Sequence, residues 1–352
     1  MTYPILDGHN DTLLNFHMKD SGKGRSFFEE SSIGHIDYPR AKKGGFSGGF
    51  FAIFPPPNAS LSVPKPEHYL TEDGYDIPLP EAANPEACYK VTNEMMQLLY
   101  QIEADSKGCF SVVKNIPDLK KALENKQMAA ILHFEGAEVI DPDIKNLVDF
   151  YNQGLRSLGL VWSRPNAFAQ GVPYRYPSTP DIGPGLTLAG KELVEKCNEL
   201  GIMLDTSHLN EKGFWDVVEY SNAPIVATHS NAHTLCPISR NLTDKQLDAI
   251  AHTDGVVGVT YSVNMLRPDG KMNKDTSLDD IVRHIRYITD QIGVEHVALG
   301  SDFDGTTLPN DMKDVTGVPK VIKLLEEDGF SMSDLKKITH ENWIRVLTDT
   351  WK

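Results

Sequence analysis

The chain has 352 residues, of which 40% are hydrophobic and 24% charged, the composition of an ordinary globular protein. Its formal net charge of −15 argues against nucleic acid or an anionic membrane as a partner, because both repel an acidic surface. The cysteines form no CxxC pair and no zinc-finger spacing, so we expect reduced thiols. The first strand-like run directly follows Met1, and no apolar run has membrane-spanning length; we therefore expect a cytoplasmic protein.

Strand-like and helix-like runs alternate along the chain. The predicted strands are Pro4–Leu6, Phe46–Phe54, Met128–Phe134, Leu155–Val161, Ile202–Asp205, Pro224–Ala227, Gly255–Thr260 and His296–Gly300. The predicted helices between them are Tyr89–Ala104, Asn146–Tyr151, Leu188–Leu200, Glu211–Tyr220, Asp244–His252 and Leu278–Ile292. This alternation predicts a parallel sheet, and about eight strands favour a closed (β/α)8 TIM-like barrel over an open doubly wound sheet. No GxGxxG turn follows the first strand, which argues against a dinucleotide-binding fold.

Two segments lie outside this regular alternation. Residues 55–88, rich in proline, serine and acidic side chains, are predicted to form an insertion after the second strand. Such insertions usually cover the active-site face of a barrel. Residues 318–352 are predicted to form two C-terminal helices, Pro319–Asp328 and Ser333–Asp349. We therefore predict one barrel domain over residues 1–352.

Polar side chains recur at the ends of the predicted strands. They are His9 and Asp11 after the first strand, Glu135 after the third, His208 after the fifth, His229 after the sixth, and Asp302 and Asp304 after the eighth. In a barrel these points share one rim, where active sites are built from several strand ends. A single histidine or carboxylate there is more often a core residue or a helix cap. Three imidazoles and several carboxylates together instead match a paired divalent metal site, since imidazole suits zinc and a carboxylate can bridge two ions. Asp304 is expected to be structural, and His133 to be either a partner of a ligand or a core histidine.

The chain resembles the membrane (renal) dipeptidase family of zinc peptidases, in its bacterial form. The segments that carry this resemblance are Asp7-Gly8-His9-Asn10-Asp11, Glu135-Gly136, Asp205-Thr206-Ser207-His208, Thr228-His229-Ser230-Asn231-Ala232, Ser239-Arg240-Asn241, Gly300-Ser301-Asp302-Phe303-Asp304-Gly305 and, near the end, Glu341-Asn342-Trp343-Ile344-Arg345-Val346. The resemblance implies a metal-dependent hydrolase on an amidohydrolase-type barrel. It also implies dipeptide substrates, with tolerance for a D-residue at the C-terminal position.

The resemblance further implies two zinc ions (Zn2+) per chain and a zinc-bridged hydroxide as the attacking group. It assigns His9 and Asp11 to one ion, His208 and His229 to the other, Glu135 to the bridge between them, Asp302 to a proton shuttle and Arg240 to the free carboxylate of the substrate. One position departs from the vertebrate pattern. There a histidine after the fourth strand helps to hold the scissile carbonyl oxygen, whereas this chain has Trp162. Trp162 donates one N–H and carries no charge, and Asn166 is a second candidate donor.

Two other functions fit parts of the pattern. A deaminase or a phosphotriesterase-like hydrolase would share the barrel, but many of these have His-x-His on the first strand and a carboxylated lysine as bridge. This chain has His9-x-Asp11 and no lysine at the third or fourth strand end. A barrel that only binds ligands is the other alternative, and Asp302 beside a complete ligand set argues against it. The oligomeric state is left open, with a homodimer as one candidate.

Overall fold

The computed structural model of the protein describes residues 3–18, 22–56 and 66–352. Its strands are β1 (Ile5–Asn10), β2 (Phe46–Ile53), β3 (Tyr75–Ile77), β4 (Phe110–Val112), β5 (Met128–Glu135), β6 (Leu155–Gly159), β7 (Tyr174–Tyr176), β8 (Met203–Asp205), β9 (Val226–Ser230), β10 (Val256–Val259) and β11 (Val297–Leu299). Its α-helices are α1 (Thr12–His17), α2 (Tyr38–Gly44), α3 (Pro85–Asp105), α4 (Ile116–Glu124), α5 (Leu147–Gln153), α6 (Leu188–Leu200), α7 (Glu211–Tyr220), α8 (Asp244–His252), α9 (Val263–Leu266), α10 (Asp279–Ile292), α11 (Val318–Glu327), α12 (Met332–Lys336) and α13 (Asn342–Thr350).

The parallel strands of the described residues surround a common axis. Neighbouring strands pair in the order β1-β2-β5-β6-β8-β9-β10-β11. Strand β4 pairs with the first three residues of β5. The two ends of this order meet through Ser301, whose N–H and hydroxyl each donate to the Asp7 carboxylate at 2.7 Å. The Asp302 N–H also donates to the His9 carbonyl at 3.0 Å. This nearly closed barrel with alternating helices confirms the predicted (β/α)8 fold.

Local signals account for the helices that sequence analysis placed best. Helix α6 has the predicted ends because the Thr187 hydroxyl accepts the Gly190 N–H at 3.0 Å and Gly201 takes a left-handed conformation after the last turn. Helices α7 and α8 also have their predicted ends, with side-chain caps from Asn210 and Thr243. These caps supply hydrogen-bond partners to N–H groups that have none within a helix.

The interior of the barrel is a packed apolar layer. Its buried members include Leu6, Phe50, Ile131, Met203, Val226, Val256 and Ala298, one from each of seven barrel strands. Trp343 from α13 joins them, with its ring centroid 5.1 Å from that of Phe50 and its indole N–H donating to the Leu299 carbonyl at 3.1 Å. The strand ends that carry the polar side chains therefore rest on a rigid apolar layer, because closely packed side chains have little freedom to rearrange.

Several elements differ from the sequence-based expectations. Strand β1 continues through His9 to Asn10 instead of ending at Leu6. Helix α3 begins at Pro85, inside the segment assigned to the insertion, because the Asn84 side chain caps it. The predicted helix Ser333–Asp349 is two helices, α12 and α13, separated by a π-helical turn at Lys337–Glu341.

The predicted insertion contributes a small second sheet. Residues 57–65 of this segment lie outside the described residues. Beyond them β3 pairs antiparallel with β7, with Ile77 opposite Tyr174. Tyr75 and Ile77 pack on Cys236 and Ile238, which belong to the loop after β9. The β3–β7 sheet thereby joins the insertion to the loop that carries Arg240.

Among the described residues, none of the helices combines the length and the apolar character needed to cross a membrane.

Candidate active site

One group of buried polar atoms lies where β1 meets α1. The His9 Nε2 atom is 3.5 Å from Asp11 Oδ2 and 3.7 Å from Glu135 Oε2. Both ring nitrogens of His9 and the Oδ1 atom of Asp11 are buried without a hydrogen-bond partner among the described residues. Such orphaned polar atoms are costly in a protein interior unless a further group satisfies them.

A second group lies at the ends of β8 and β9. The Nε2 atoms of His208 and His229 are 3.0 and 3.6 Å from Glu135 Oε1, and 3.0 Å from each other. Glu135 therefore faces a different group with each of its two oxygens: Oε2 lies towards His9, and Oε1 towards His208 and His229. The structure brings together all five side chains that sequence analysis named as metal ligands.

These two groups fit divalent metal ions. Glu135, His208 and His229 offer ligand atoms that lie within 4.8 Å of one another, and so do His9, Asp11 and Glu135. Imidazole nitrogen and carboxylate oxygen are the donors that zinc prefers, and the shared carboxylate can contact both positions. A bound ion would also provide a partner for one of the two His9 nitrogens and for the orphaned oxygen of Asp11.

The Nδ1 atoms of His208 and His229 contact neighbouring hydroxyl groups. His208 Nδ1 is 2.9 Å from the Ser163 hydroxyl, and His229 Nδ1 is 2.9 Å from the Thr228 hydroxyl. Contacts of this kind fix the orientation of an imidazole ligand. His133 lies deeper, with Nδ1 2.8 Å from Ser157 Oγ and its ring 5.4 Å from the His9 ring.

The proposed metal ligands differ in the direction in which their surroundings shift their pKa values. Burial lowers the pKa of both His208 and His229 well below the usual value, which keeps these imidazoles neutral. Burial also lowers the pKa of His9, but the carboxylates of Glu135 and Asp11 outweigh it and hold that pKa well above its usual value. Burial and the Asp11 carboxylate raise the pKa of Glu135 to about 7. Near neutral pH the site without a cation therefore holds a proton on His9 and part of one on Glu135, and a bound cation would displace them.

Asp302 reaches the same site from the loop after β11. Its backbone is left-handed, with φ of 62°, and His208 shares this unusual conformation with φ of 67°. A left-handed non-glycine residue costs about 1–3 kcal/mol. Loss of water contact raises the pKa of the Asp302 carboxyl well above its usual value; Asp11 and Glu135 raise it further, while His9 and Arg240 oppose them.

Asp304 has a different environment from Asp302. Its Oδ1 atom accepts the His35 N–H at 2.6 Å and its Oδ2 atom accepts the Thr12 hydroxyl at 3.0 Å. In return, the Asp304 N–H donates to His35 Nδ1 at 2.8 Å. Asp304 therefore joins its own loop to α1 and to the loop of His35, in agreement with the structural role expected from the sequence.

Arg240 is buried beside the second group of ligands. It is 4% exposed, and its Nη2 atom donates to the His229 carbonyl at 3.3 Å. Its Nε–H is buried without a partner among the described residues. An arginine with an unused donor in a buried site can bind a carboxylate with two parallel hydrogen bonds.

The two candidates for the carbonyl-oxygen contact differ in their surroundings. Trp162 is buried, with its ring centroid 5.8 Å from that of His208 and 4.9 Å from that of Phe54. The Asn166 amide nitrogen donates to the Leu160 carbonyl at 2.8 Å. Its oxygen accepts the N–H groups of Phe168 and Ala169. The Asn166 side chain thus holds its own loop, and only Trp162 lies against a ligand.

Tyr174 is a neighbour of the site that sequence analysis did not identify. Its ring centroid is 6.4 Å from that of His208 and 6.5 Å from that of Trp162. Burial raises its pKa to about 12 while Arg240 opposes that rise, so its phenol is a neutral donor. Tyr174 lies on the short strand β7, for which we found no signal in the sequence.

Comparisons with known proteins agree with this geometry. The family model of membrane dipeptidases (peptidase family M19) matches residues 1–351. A metallo peptidase from Rhodobacter sphaeroides, solved with a phosphinate mimic of the dipeptide L-Ala-D-Ala, is 40% identical with a TM-score of 0.94, and the match covers 100% of both chains. The structure of dipeptidase AC, a metallo peptidase of family M19, is 41% identical with a TM-score of 0.91, covering 100% of this chain and 99% of that one.

A curated relative extends the comparison to fungi. Dipeptidase aclJ from Aspergillus oryzae is 27% identical over 355 residues, which cover 98% of this chain and 78% of the relative. The whole-length family match and the two close structures agree with the resemblance found in the sequence. This chain belongs to the membrane dipeptidase family, peptidase family M19, whose members are metallo dipeptidases on a (β/α)8 barrel.

Proposed function

We propose that this protein hydrolyses dipeptides with a pair of zinc ions. The observation that carries the proposal is the position of Glu135, whose two carboxylate oxygens face two separate groups of buried ligands. His9 and Asp11 would hold one ion, His208 and His229 the other, and Glu135 would contact both. When bound, such a pair lowers the pKa of a shared water and polarises the scissile carbonyl group.

Asp302 is the proposed proton carrier. Burial raises its pKa well above the usual carboxyl value, which favours the protonated form that a proton donor requires. A group of this kind can accept a proton from the attacking water and give it to the departing amine. The hydrogen bond from its N–H to the His9 carbonyl keeps the Asp302 loop next to the ligands.

Arg240 is the proposed substrate clamp. Its guanidinium group is planar, and its unpaired Nε–H offers one of the two donors that a bidentate contact with a carboxylate requires. A clamp this close to His229 would hold the free carboxylate of the substrate one residue beyond the scissile bond. Such a clamp favours dipeptidase over endopeptidase activity.

The remaining walls suggest how the rest of a dipeptide is accommodated. Trp162 would contact the substrate beside His208, taking the place of the histidine found in vertebrate members. We also propose tolerance for a D-residue at the C-terminal position. That proposal is supported by the L-Ala-D-Ala mimic bound to the Rhodobacter sphaeroides relative, which is similar to this chain over its full length.

The decisive experiment combines metal analysis with a defined set of substrates. The purified protein should contain about two zinc ions per chain and release alanine from both L-Ala-D-Ala and L-Ala-L-Ala. Glu135→Gln should lose metal from both positions, because one residue serves both groups. Metal-free protein with full activity would exclude the zinc proposal, and metal-loaded protein inactive on all dipeptides would exclude the substrate class.

Location and assembly remain predictions from the sequence. We still expect a cytoplasmic protein, which fractionation of the native cells can test. A homodimer is the candidate assembly, and light scattering of the purified protein measures it directly.

A further inference from the structure

We propose that Thr228 and Asp205 form a positioning pair that holds His229 in the tautomer with its proton on Nδ1 and its lone pair on Nε2. The inference rests on the proposed function, because His229 is one of the proposed zinc ligands. Neither Thr228 nor Asp205 lies within the two groups of ligand atoms around Glu135. Asp205 also offers an oxygen within 4.8 Å of ligand atoms of His9 and His229. The tests therefore change Thr228, whose hydroxyl is hydrogen-bonded only to Asp205 and His229 among the described residues.

The pair is joined by short and buried hydrogen bonds. The Thr228 hydroxyl donates to Asp205 Oδ2 at 2.5 Å, and the Thr228 N–H donates to Asp205 Oδ1 at 2.9 Å. Asp205 Oδ1 also accepts the Ser207 N–H at 2.9 Å. Thr228 is 0% exposed and Asp205 2% exposed, so water does not compete with these contacts.

The direction of these bonds determines the state of His229. A threonine hydroxyl has one hydrogen, and a carboxylate oxygen can only accept, so this hydrogen points to Asp205. The Thr228 oxygen can then only accept in its second contact, which is with His229 Nδ1 at 2.9 Å. Nδ1 must therefore carry the N–H. Because a neutral imidazole has a single N–H, its Nε2 atom is left with the lone pair, on the side of the ring where His208 Nε2 lies at 3.0 Å and Glu135 Oε1 at 3.6 Å.

The other groups around the pair do not oppose this arrangement. Ser207 Oγ accepts the backbone N–H of His229 at 3.1 Å, which fixes the main chain and leaves the ring nitrogens free. His133 Nε2 is 3.6 Å from Asp205 Oδ2, too far for a hydrogen bond. His9 stacks on the His229 ring with centroids 3.9 Å apart and does not contact Nδ1 through a hydrogen bond in the described residues.

His208 provides a contrast within the same site. Its Nδ1 atom contacts the Ser163 hydroxyl at 2.9 Å. Among the described residues no carboxylate accepts the hydrogen of that hydroxyl, so Ser163 can either donate or accept. The device is therefore specific to His229, and we expect its loss to weaken one of the two zinc positions more than the other.

The first test measures zinc retention by the loaded protein during competition with a chelator. Thr228→Val keeps the shape of the side chain and removes the hydroxyl group. Loss of a hydrogen-bonding partner behind a metal ligand lowers affinity about 10- to 100-fold, so one of two zinc ions should be released that much more readily. Thr228→Ser restores the hydroxyl and should retain zinc as the wild type does.

Thr206 supplies a matched control. It is also buried, and its hydroxyl donates to the Val226 carbonyl at 2.8 Å without contacting a ligand. Thr206→Val should retain both zinc ions. Equal zinc retention by Thr228→Val and the wild type would overturn the proposal, and so would an equal loss in Thr206→Val.

The second test reads the tautomer directly and does not depend on a variant that folds. In protein labelled with 15N-histidine, NMR should show a slowly exchanging N–H at Nδ1 of His229. An N–H at Nε2, or an unprotonated Nδ1, would overturn the proposal. A wild-type protein that retains no zinc would instead contradict the proposed function, while the NMR result would still decide the tautomer.

Discussion

The substrate clamp is the part of the proposed function that a single substitution tests most sharply. Arg240→Lys keeps the positive charge next to Glu135 but replaces a planar fork with a compact ammonium group. In the structure the guanidinium already uses Nη2 on the His229 carbonyl, and its buried Nε has no partner among the residues that the structure describes. Lysine has one nitrogen for both tasks, so at least one hydrogen bond to the substrate carboxylate should be lost.

The size of the loss follows from the burial of the site. A hydrogen bond to a charged group contributes about 1.5–3 kcal/mol. Because about 1.4 kcal/mol corresponds to a tenfold change, Arg240→Lys should lower kcat/KM for a free dipeptide roughly tenfold to hundredfold. Only the free acid should be affected this strongly, since a C-terminal amide has no carboxylate to bind.

The assay compares kcat/KM for L-Ala-D-Ala and for its C-terminal amide in both enzymes. The wild type should strongly prefer the acid, and Arg240→Lys should reduce that preference. Arg175→Lys is the control, because this partly exposed arginine pairs with Asp76 at 2.7 Å on the nearby β3–β7 sheet, and ion pairs near the surface contribute little. A wild type that cleaves acid and amide equally well would refute the clamp.

Four further predictions concern the metal site and the barrel. Chelation should abolish activity, and added zinc should restore it, as followed by release of free alanine. Asp302→Asn should lower kcat by at least ~10² while both zinc ions stay bound, because the amide keeps the shape but cannot carry a proton; loss of metal would instead mark Asp302 as a ligand. Zinc binding should release between about one and two protons per chain near pH 7, because it displaces protons from His9 and Glu135. Zinc affinity should therefore fall as the pH is lowered. Calorimetry in buffers of different ionisation enthalpy measures the number of protons released. Gly8→Ala should destabilise the protein by ~1–3 kcal/mol in denaturant titrations, because the new methyl group would lie 2.3 Å from the Thr228 carbonyl oxygen, whereas Gly159→Ala, with its nearest atom at 3.5 Å, should be tolerated.

The sequence by itself determined the elements whose signals are local. Helices α6, α7 and α8 have their predicted ends, because an amphipathic period and a capping side chain both lie within a few residues. The fold class followed from the regular alternation of strands and helices. The candidate ligands followed from the geometry of a barrel, which gathers the ends of distant strands on one rim and so makes their chain order sufficient to group them.

Other features depended on contacts between segments far apart in the chain. Strands β3 and β7 have three residues each, which is too short for a recognisable strand pattern in the sequence. They form because they pair with each other. This pairing brings Tyr174 to the site, although no residue near it in sequence is a ligand. The left-handed backbone of Asp302 likewise depends on a tertiary contact. The loop that carries Asp302 after β11 is hydrogen-bonded to the His9 carbonyl of β1.

The hydrogen bonds that separate the roles of neighbouring side chains within the site were also a tertiary result. Sequence order placed Asp302 and Asp304 two residues apart with the same side chain, yet one faces the ligands and the other binds His35 and Thr12. Trp162 and Asn166 are separated in the same way, since only the folded loop reveals that the Asn166 side chain is hydrogen-bonded to backbone atoms of its own loop. Residue types and spacing therefore determined which side chains gather at the rim. Three-dimensional hydrogen bonding decided what each can do there, because a donor or acceptor is available only if no neighbour in the fold has already satisfied it.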